Sequence, residues 1–372
     1  MSTVVYDHQI FGQQQWGGVS RYFCEIAARV HRASGGVRIV APLHFNDYLA
    51  HSDVPRLGCY VRRRVPRSGS FYRAVNALVS PMLIAACKPE LVHRTYYAAT
   101  AAPRRAKLVV TVFDMIHELY PQHFTTTDRT RDLKLASVEA ADRVICISQR
   151  TAEDLMRVLP VPAAKISVTH LGFSEAFAHA SAGLLKPAPG ARPYLLYVGH
   201  RAGHKNFERA LRAYASSARL RSDFDLVVFG GAPFGRQERA LLETLGLRLE
   251  SVRRLTGSDD DLAAAYRGAH ALIYPSEYEG FGIPLLEAMS CGCPVICSNA
   301  SSIPEVVADA GEYFDPLEVE SIRHAVEQAC YDDARRRDLA QRGLRRCQDF
   351  SWDRCAAETL EVYQRTLAGG RA

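Results

Sequence analysis

The 372-residue sequence lacks any run of about 18 consecutive apolar residues, so it predicts no membrane-spanning helix. Its first 16 residues contain Asp7, His8 and four glutamines but no apolar core, which is unlike a secretory signal peptide. The ten cysteines follow neither the spacing of a small disulfide-linked scaffold nor that of a zinc site. These absences predict a cytoplasmic protein with reduced thiols and no bound metal.

Three glycine motifs of well-known enzyme classes are also missing. The sequence has no Gly-x4-Gly-Lys-Ser/Thr loop, which excludes a P-loop nucleotidase. It has no Gly-x-Ser-x-Gly turn, which carries the nucleophile of α/β-hydrolases. It also lacks the Gly-x-Gly-x-x-Gly turn that dinucleotide-dependent oxidoreductases use to bind pyrophosphate.

Positive charge is concentrated in the first half of the chain. Residues 1–185 hold 22 Lys and Arg against 14 Asp and Glu, whereas residues 186–372 hold 24 against 26. The densest basic groups are Arg62, Arg63, Arg64, Arg67, Arg104, Arg105 and Lys107. These residues form either an ordinary solvated surface or a region that attracts anionic lipid headgroups or a diphosphate-linked acceptor. No nucleic-acid-binding motif accompanies the charge, so nucleic acid is not an expected partner.

Short apolar segments alternate with amphipathic segments along the chain. This order predicts an α/β protein with parallel sheets that are covered by helices on both faces. The predicted strands are residues 38–42, 91–93, 107–113, 143–148, 166–171, 194–199, 225–230, 251–256, 271–275 and 294–298. The predicted helices are residues 20–33, 130–140, 151–159, 207–217, 236–245, 259–267, 283–290, 334–346 and 352–367.

Residues 181–193 separate two halves of the chain. This segment contains three prolines and two glycines, which favour a linker over a helix or a central strand. The sequence therefore predicts an N-terminal domain at residues 1–182 and a C-terminal domain at residues 193–350. A final amphipathic helix is predicted at residues 351–372.

A strand, a glycine-containing loop and a helix start lie between residues 271 and 290. In open α/β sheets, ligands bind beyond the carboxyl ends of strands, where helix N-termini attract phosphate. The backbone N–H groups around Phe281, Gly282 and Ile283 are therefore predicted to face a phosphate-binding cleft. Two carboxylates, Glu279 and Glu287, frame this loop. We expect Glu287 in the first turn of the helix, where its carboxylate can accept hydrogen bonds from two ribose hydroxyls.

The segment Glu279-Gly-Phe-Gly-Ile-Pro-Leu-Leu-Glu287 closely resembles the two-glutamate motif of glycosyltransferase family 4. The resemblance continues through residues 288–296 and 301–306. It implies the GT-B fold, in which two Rossmann-like domains face each other across a cleft. It also implies a donor site in the C-terminal domain, an acceptor site in the N-terminal domain, and a last helix that packs back on the first domain. By the same resemblance, Glu279 binds hydroxyls of the transferred sugar and Glu287 binds the ribose.

A second segment of the C-terminal half, residues 197–207, is similar to the diphosphate site of the family. Cleavage of a sugar–phosphate bond builds negative charge on the leaving oxygen, which fixed cations stabilise in the transition state. Arg201 and Lys205 are therefore predicted to bind the diphosphate, and the resemblance implies that no metal or other cofactor is needed. The resemblance also implies that Gly230 lines the nucleotide cleft and that Thr256 lies near the base.

Two segments of the N-terminal half resemble family members that build heteropolysaccharides. Gly17 and Gly18 lie between the first strand and a helix, where their N–H groups can face the donor; a simple turn that requires positive φ is the alternative. Asp114, His117 and Glu118 follow the strand at residues 107–113, on the expected acceptor side. His117 is the candidate polar group over the transferred sugar, with His93 as its competitor, and the sequence leaves this choice open.

The sequence therefore predicts a retaining, metal-independent hexosyltransferase of the polysaccharide mannosyltransferase subgroup. The expected donor is a nucleoside-diphosphate sugar, with GDP-mannose as first choice. The expected acceptor is a hydroxyl of a saccharide or lipid-linked saccharide in surface polysaccharide or lipopolysaccharide assembly, with peripheral contact to the inner face of an anionic membrane. A catalytically silent sugar-nucleotide-binding protein and a phosphorylase-type enzyme of the same fold are the alternatives. The base, the sugar, the linkage and the oligomeric state stay open.

Overall fold

The structure is a computed structural model that describes residues 3–62, 69–99, 103, 105–178 and 192–369. The chain divides into two units, Met1–Leu171 with Ser351–Ala372, and Gly172–Phe350. Nearly all of the predicted linker at residues 181–193 lies outside the described residues, so the predicted domain boundaries stay predictions. Arg63, Arg64, Arg67 and Arg104 also lie outside the described residues.

Within the described part of the first unit, seven strands form one parallel sheet in the order β3-β2-β1-β4-β5-β6-β7. The strands are β1 Val4–Tyr6, β2 Val37–His44, β3 Arg56–Tyr60, β4 Leu91–Arg94, β5 Lys107–Val112, β6 Arg143–Cys146 and β7 Ile166–Val168. The order reverses between β1 and β4, so the loops that follow these two strands diverge to opposite faces. Such a switch point forms the ligand crevice of open α/β sheets.

Helices of the first unit cross over between the strands. They are α1 Gly18–Ser34, α2 Asp47–Ala50, α3 Gly69–Ala86, α4 Ile116–Leu119, α5 Thr130–Ala140 and α6 Gln149–Val158. Helix α1 buries one face, which includes Tyr22, Phe23 and Ile26, against the sheet. It ends at Gly35, whose φ of 68° is the left-handed conformation that glycine adopts without strain.

Helix α3 is not among the helices that the sequence predicts. Its buried residues form a narrow stripe, namely Tyr72, Asn76, Ser80 and Ile84. Most of the remaining surface of the helix is apolar as well, and it contains Pro81, so the alternation of polar and apolar residues that identifies a helix is weak. Phe71, Leu78 and Met82 are 63%, 72% and 68% exposed.

Within the described part of the second unit, six strands form a parallel sheet in the order β10-β9-β8-β11-β12-β13. The strands are β8 Tyr194–Val198, β9 Asp225–Phe229, β10 Val252–Leu255, β11 Ala271–Tyr274, β12 Val295–Ser298 and β13 Gly311–Phe314. Here the order reverses between β8 and β11. The predicted α/β class is confirmed. Strands β3 and β13 are not among the predicted strands, and β1 was expected only as a strand before Gly17, without bounds.

The helices of the second unit cover both faces of its sheet. They are α7 Glu175–Ala178, α8 Phe207–Ser216, α9 Ala218–Asp223, α10 Arg236–Thr244, α11 Asp259–Gly268, α12 Ile283–Ser290, α13 Ile303–Val307, α14 Val319–Tyr331 and α15 Asp333–Arg346. One buried apolar cluster joins strand residues such as Leu195 and Val228 to Leu211 of α8 and Ile322 of α14. This packing fixes the strand ends from which the site loops begin.

The last helix, α16 at Trp352–Ala368, begins after Ser351, whose side chain accepts a hydrogen bond from the Arg354 N–H. Its Tyr363 hydroxyl is 2.7 Å from the Tyr6 hydroxyl and 2.5 Å from His93 Nδ1, so the helix is bonded to β1 and β4 of the first unit. No helix in the described parts of the chain combines the length and the apolar character that crossing a membrane requires.

Candidate functional site

The switch point of the second sheet brings Lys205 and Glu279 together. Lys205 ends a short 3₁₀ turn in the loop after β8, and Glu279 lies in the loop after β11. The Lys205 ammonium is 2.7 Å and 2.8 Å from the two carboxylate oxygens of Glu279. Residues 74 positions apart therefore form one cluster at the place where an open α/β sheet binds its ligand.

The environment of Glu279 keeps its carboxylate ionised. Burial by itself would raise the pKa of Glu279, but the charge and hydrogen bond of Lys205 outweigh burial, and the net pKa is lowered. The Tyr274 hydroxyl adds a hydrogen bond of 2.7 Å to the same carboxylate, and Ser276 also lowers its pKa. A carboxylate held in this way accepts hydrogen bonds from hydroxyl groups without taking a proton.

The loops that carry this pair are fixed by side chains of neighbouring loops. Asn206, in the left-handed conformation with φ of 56°, donates to the carbonyls of Pro275 and Pro316 at 2.9 Å and 2.7 Å. Ser301 and Ser302, after β12, donate to the Glu279 carbonyl at 2.7 Å and 2.9 Å. These two serines hold the loop that carries Glu279 in place. This is a physical reason for the family resemblance to continue at residues 301–306.

Helix α12 begins directly after this loop. Gly282 caps it with φ of 110°, and a Cβ at this position would lie 2.8 Å from Leu285 Cδ1, so the position favours glycine. Glu287 is the fifth residue of α12 and lies in its second turn; its expected place in the first turn was wrong because a turn holds about 3.6 residues. The Glu287 carboxylate is 7% exposed and accepts a hydrogen bond of 3.2 Å from Tyr266 of α11.

Neither Phe281 nor Ile283 has a fully exposed side chain. Phe281 is 2% exposed and its ring packs edge-on against Phe350 at 5.7 Å between centroids, while Ile283 is half-buried. The backbone at these positions, rather than the Phe281 side chain, is therefore the part that can meet a phosphate.

Glycines with positive φ end β8 and β9 side by side. Gly199, Gly230 and Gly231 have φ of 116°, 89° and 64°, and a Cβ on Gly230 would approach only the Gly199 backbone, at 3.9 Å. Backbone without side chains at adjacent strand ends allows close approach of a ligand. Arg254 of β10 holds the pair by donating to the carbonyls of Gly230 and Gly231. Thr256, further along, is exposed at the same edge of the sheet.

Arg201 does not share the surroundings of Lys205. Its guanidinium donates to both carboxylate oxygens of Glu238 at 2.5 Å and 3.1 Å and to the Ala232 carbonyl at 2.7 Å. It also lies over the Phe234 ring, 4.7 Å from the centroid, and the side chain is only 6% exposed. Each of the two cations predicted to bind the diphosphate is thus paired with its own carboxylate, and their assignment to the diphosphate stays a prediction.

In the first unit, Asp114 and His117 lie after β5. Asp114 Oδ1 accepts the N–H of Ile116 at 3.0 Å and so begins α4, which carries His117. The His117 ring stacks on Phe124 with centroids 3.9 Å apart, and its Nε2 is 3.6 Å from Asp128. Both side chains keep part of their surface open, 29% for Asp114 and 18% for His117.

His93, the competing candidate, is fully buried and cannot contact a substrate in this structure. Its ring nitrogens are 2.5 Å from the Tyr363 hydroxyl and 2.8 Å from Thr111 Oγ1. Burial lowers the pKa of His93 to about 3, so the ring stays neutral. The sequence could not distinguish His93 from His117 because its bonding partner Tyr363 is 270 residues away.

The two glycines before α1 differ in their surroundings. Gly17 has φ of 167°, an extended conformation, and a Cβ there would meet the Gln14 side chain at 2.3 Å. Gly18 has no atom within 4 Å of its ideal Cβ position. A requirement for positive φ, the alternative raised from the sequence, is therefore not the reason for this pair.

Sequence reasoning missed Asp7, at the carboxyl end of β1. Its carboxylate accepts the N–H and the hydroxyl of Thr95, which follows β4, at 2.8 Å and 2.7 Å. These residues meet at the switch point of the first sheet. An acid directly after a short apolar segment was the available signal, but only the sheet order brings Thr95 beside it.

Comparison with known proteins identifies the family. Residues 185–346 match the model of glycosyl transferases group 1, and residues 16–177 match the model of Glycosyltransferase Family 4. The O-antigen chain mannosyltransferase B of Escherichia coli is 33% identical over 272 residues, which cover 70% of this chain and 71% of that protein. The chain belongs to glycosyltransferase family 4. The family and the enzyme class predicted from the glutamate motif are therefore confirmed.

Further relatives of this glycosyltransferase agree on the fold. The serotype-specific mannosyltransferase WbdA of Escherichia coli is 29% identical over 279 residues, which cover 71% of this chain and 34% of that protein. The structure of sucrose-phosphate synthase from Thermosynechococcus elongatus has a TM-score of 0.77 at 21% identity over 100% of both chains. HepE of Anabaena, solved with UDP and glucose, has a TM-score of 0.73 at 17% identity over 98% of this chain and 100% of that chain. The two Rossmann-like sheets thus form a GT-B glycosyltransferase fold.

Proposed function

We propose that this family 4 enzyme transfers mannose from GDP-mannose to a hydroxyl of a saccharide acceptor in the assembly of a surface polysaccharide or lipopolysaccharide. Support for the sugar comes from the relatives whose names state mannosyltransferase activity. Support for a nucleotide donor comes from HepE, which was solved with UDP and glucose on the same fold. GDP is proposed in place of UDP because mannose is the proposed sugar.

The observation that carries the proposal is the Lys205–Glu279 pair at the switch point of the second unit. Lys205 binds the diphosphate, and its cation stabilises the charge that develops on the leaving oxygen. Glu279 accepts hydrogen bonds from hydroxyls of the transferred sugar, and Glu287 accepts them from the ribose. The glycines at positions 199 and 230 line the nucleotide, with the base near Thr256.

Arg201 has a second role in this proposal. Its pairing with Glu238, the residue that also accepts the Gly235 N–H at the start of α10, ties the loop after β8 to that helix. Its remaining nitrogen, Nη1, lies beside Gly231 and is buried without a hydrogen-bond partner in the described part of the chain. We therefore assign Arg201 to holding the loop and to one contact with the phosphate.

The reaction proposed for this site retains the configuration of the sugar. The bond between the anomeric carbon and the phosphate oxygen breaks, and the acceptor oxygen bonds to the same face of that carbon. The acceptor proton passes to the leaving phosphate oxygen. Asp114 and His117 of the first unit, and the backbone of Gly17 and Gly18, serve the acceptor side and the sugar. No metal or other cofactor is assigned to any step.

Transfer from GDP-mannose to p-nitrophenyl α-mannoside, followed by proton NMR, tests the proposal. An α-linked product formed equally well with excess EDTA is expected; a β-linked product or a strict metal requirement would contradict the mechanism. Lys205→Ala and Glu279→Ala should each lower kcat by about 10²–10³-fold while the circular dichroism spectrum stays unchanged. Arg212→Ala, which removes an exposed ion pair with Glu208 on α8, is the matched control and should keep wild-type kcat.

We also propose peripheral contact with an anionic membrane through helix α3. Its outward face presents Phe71, Leu78 and Met82, each more than 60% exposed, which is unusual for large apolar side chains on one helix. Arg73 is exposed on the same helix, and Arg62, Arg63, Arg64 and Arg67 precede the helix in the sequence. Apolar side chains beside clustered arginines are complementary to the boundary of an anionic bilayer.

Vesicle flotation tests this contact. The protein should float with vesicles that contain phosphatidylglycerol and much less with pure phosphatidylcholine. Leu78→Gln/Met82→Gln should lower the bound fraction by about tenfold, because polar side chains replace two apolar ones that move from water into the bilayer boundary on binding. The matched control, Leu249→Gln/Leu317→Gln, changes leucines of the second unit that are 51% and 57% exposed and should float like the wild type. Equal flotation of both double variants would contradict the proposal.

A further inference from the structure

A buried lysine in the first unit bonds to both ends of the segment that carries His117. Lys134 lies on α5, and its side chain has no exposed surface. Its ammonium donates to Glu118 Oε2 at 2.7 Å and to the main-chain oxygen of Asp114 at 2.7 Å. The Glu118 side chain is itself only 1% exposed, and the Tyr97 ring covers the ammonium at 5.4 Å from its centroid.

Stability alone does not account for this pair. Taking an ammonium and a carboxylate out of water costs several kcal/mol for each ion, and well-packed apolar side chains are often as stable or more so. What a buried ion pair provides, and apolar contacts do not, is a fixed direction and distance between the groups. Here the pair fixes the orientation of residues 114–118 relative to α5.

The location of the pair connects it to the acceptor side. Residues 113–119 follow β5, and the two bonds of Lys134 fall on either side of His117. One bond holds Asp114 at the strand end, and the other holds Glu118 one residue beyond His117. The histidine therefore has little freedom to move along or away from the sheet edge.

Ser137, one helical turn further along α5, holds the neighbouring loop in the same manner. Its hydroxyl donates to the Ala98 carbonyl at 2.9 Å and accepts the Ala98 N–H at 2.9 Å. Ala98 belongs to the loop after β4, next to the switch point of the first sheet. Helix α5 thus bonds through polar side chains to the loops at two adjacent strand ends.

We propose that Lys134 is a positioning residue for the acceptor side of the reaction: its buried pair with Glu118 holds Asp114 and His117 where they meet the acceptor. The inference rests on the proposed function for the assignment of these two residues to the acceptor. It goes beyond the glutamate and lysine motifs of the second unit, because α5 carries no motif of the donor site.

The test compares Lys134→Met/Glu118→Leu with the wild-type chain. Both ions of the fully buried pair are removed, and the Asp114 carboxylate, which lies 3.8 Å from the Lys134 ammonium, is 29% exposed, so the variant is expected to fold. Hydrogen–deuterium exchange of residues 113–119 should become about tenfold faster, because the segment loses its anchor. With GDP-mannose and p-nitrophenyl α-mannoside, kcat/KM for the acceptor should fall about 100-fold, while KM for the donor stays unchanged.

Two further variants separate positioning from general stability. Arg365→Met removes a cation of the same unit from α16, where it pairs with Glu361 at 2.7 Å, and should leave exchange and acceptor kcat/KM unchanged. Lys134→Gln/Glu118→Gln keeps a hydrogen bond between neutral side chains. It should restore slow exchange and raise acceptor kcat/KM at least about tenfold above that of the apolar-pair variant. It also replaces the apolar-pair variant in the test if that variant does not fold.

Unchanged exchange at residues 113–119 in a folded apolar-pair variant would overturn the inference. So would faster exchange with acceptor kcat/KM within about threefold of the wild type, since the loop would then move without consequence. If the wild-type chain transfers no mannose at all, the proposed function fails, and the exchange measurement still decides whether Lys134 holds the loop.

Discussion

At the scale of single residues, charge pairing decides which groups are ready to act. Lys205 and Glu279 neutralise each other across the edge of the second sheet, so an incoming diphosphate and sugar must compete with an existing contact. Arg201 is bound to its partner more fully than Lys205, because two of its nitrogens donate hydrogen bonds to the Glu238 carboxylate. The two cations, which look equivalent in the sequence, therefore have different roles in the structure.

The lowered pKa of Glu279 gives a prediction for acid stability. A carboxylate with a depressed folded pKa contributes stability at pH values above its ordinary value of 4.5, and this contribution is lost as the pH falls towards the folded pKa. The difference in free energy of unfolding between the wild type and Glu279→Gln should therefore be constant above about pH 5 and shrink below pH 4.5. Urea titrations from pH 3 to pH 7 measure it, and a difference that grows on acidification would refute the assignment.

At the scale of elements, the start of each helix at a sheet edge sets the backbone that faces a ligand. Helices α1 and α12 both begin after glycine, but for different reasons. Gly282 has a backbone conformation that favours glycine, whereas Gly18 lies in ordinary helical backbone with open space beside it. The open space beside Gly18 agrees with its proposed place next to the donor sugar.

Gly18→Ala separates stability from function. Alanine in a helix is more stable than glycine by about 0.5–1 kcal/mol, so the free energy of unfolding should rise by that amount. If the Gly18 backbone lies against the donor sugar, kcat for mannosyl transfer should nevertheless fall, by roughly tenfold or more. Thermal denaturation and steady-state kinetics on one preparation give both quantities. A variant that is more stable and fully active would show that Gly18 has no contact with substrate.

Sequence patterns predict some of these elements and miss others for identifiable reasons. Helices α5 and α12 were predicted with the bounds that the structure gives. Helix α5 buries residues at helical spacing, and α12 follows Gly282 and has a proline in its first turn. Helix α3 was missed because most of its own residues are apolar. Its outward face lacks the charged side chains that normally identify the solvent-facing side of a helix. The edge strand β3 was missed because Arg56–Tyr60 is mostly exposed. The edge strand β13 was missed because its two buried residues are Glu312 and Phe314, so polarity does not identify its buried face.

At the scale of the whole molecule, the two units are built alike but carry different chemistry. Each has a parallel sheet with a switch point, and each switch point carries polar side chains: Asp7 and Thr95 in the first unit, Lys205 and Glu279 in the second. The excess of positive charge lies in the first half of the chain, apart from the candidate donor site. In the proposed function, donor binding belongs to the second unit and membrane attraction to the first.

Ligand-dependent melting tests this separation. A nucleotide at about 100 times its Kd stabilises a domain by about 2.7 kcal/mol, which raises the Tm by roughly 5–10 °C for a domain of this size. GDP should give the largest shift among GDP, UDP, ADP and dTDP, and Lys205→Ala should remove most of it. Lys107→Met in the first unit should keep the full shift. A larger shift with UDP than with GDP would replace the proposed donor, and no shift with any nucleotide would contradict the donor site.

The sequence by itself determined the family, the α/β class and the loop that carries Glu279, because these depend on residues close together in the chain. Local spacing sets where a strand ends, where glycine permits a turn and where a helix begins. Only the tertiary structure decided which side chains meet: that Lys205 pairs with Glu279, that Arg201 turns to Glu238, that His93 is enclosed by Tyr363, and that Lys134 holds the His117 segment. These contacts depend on strand order and on burial, and neither is written in the spacing of neighbouring residues.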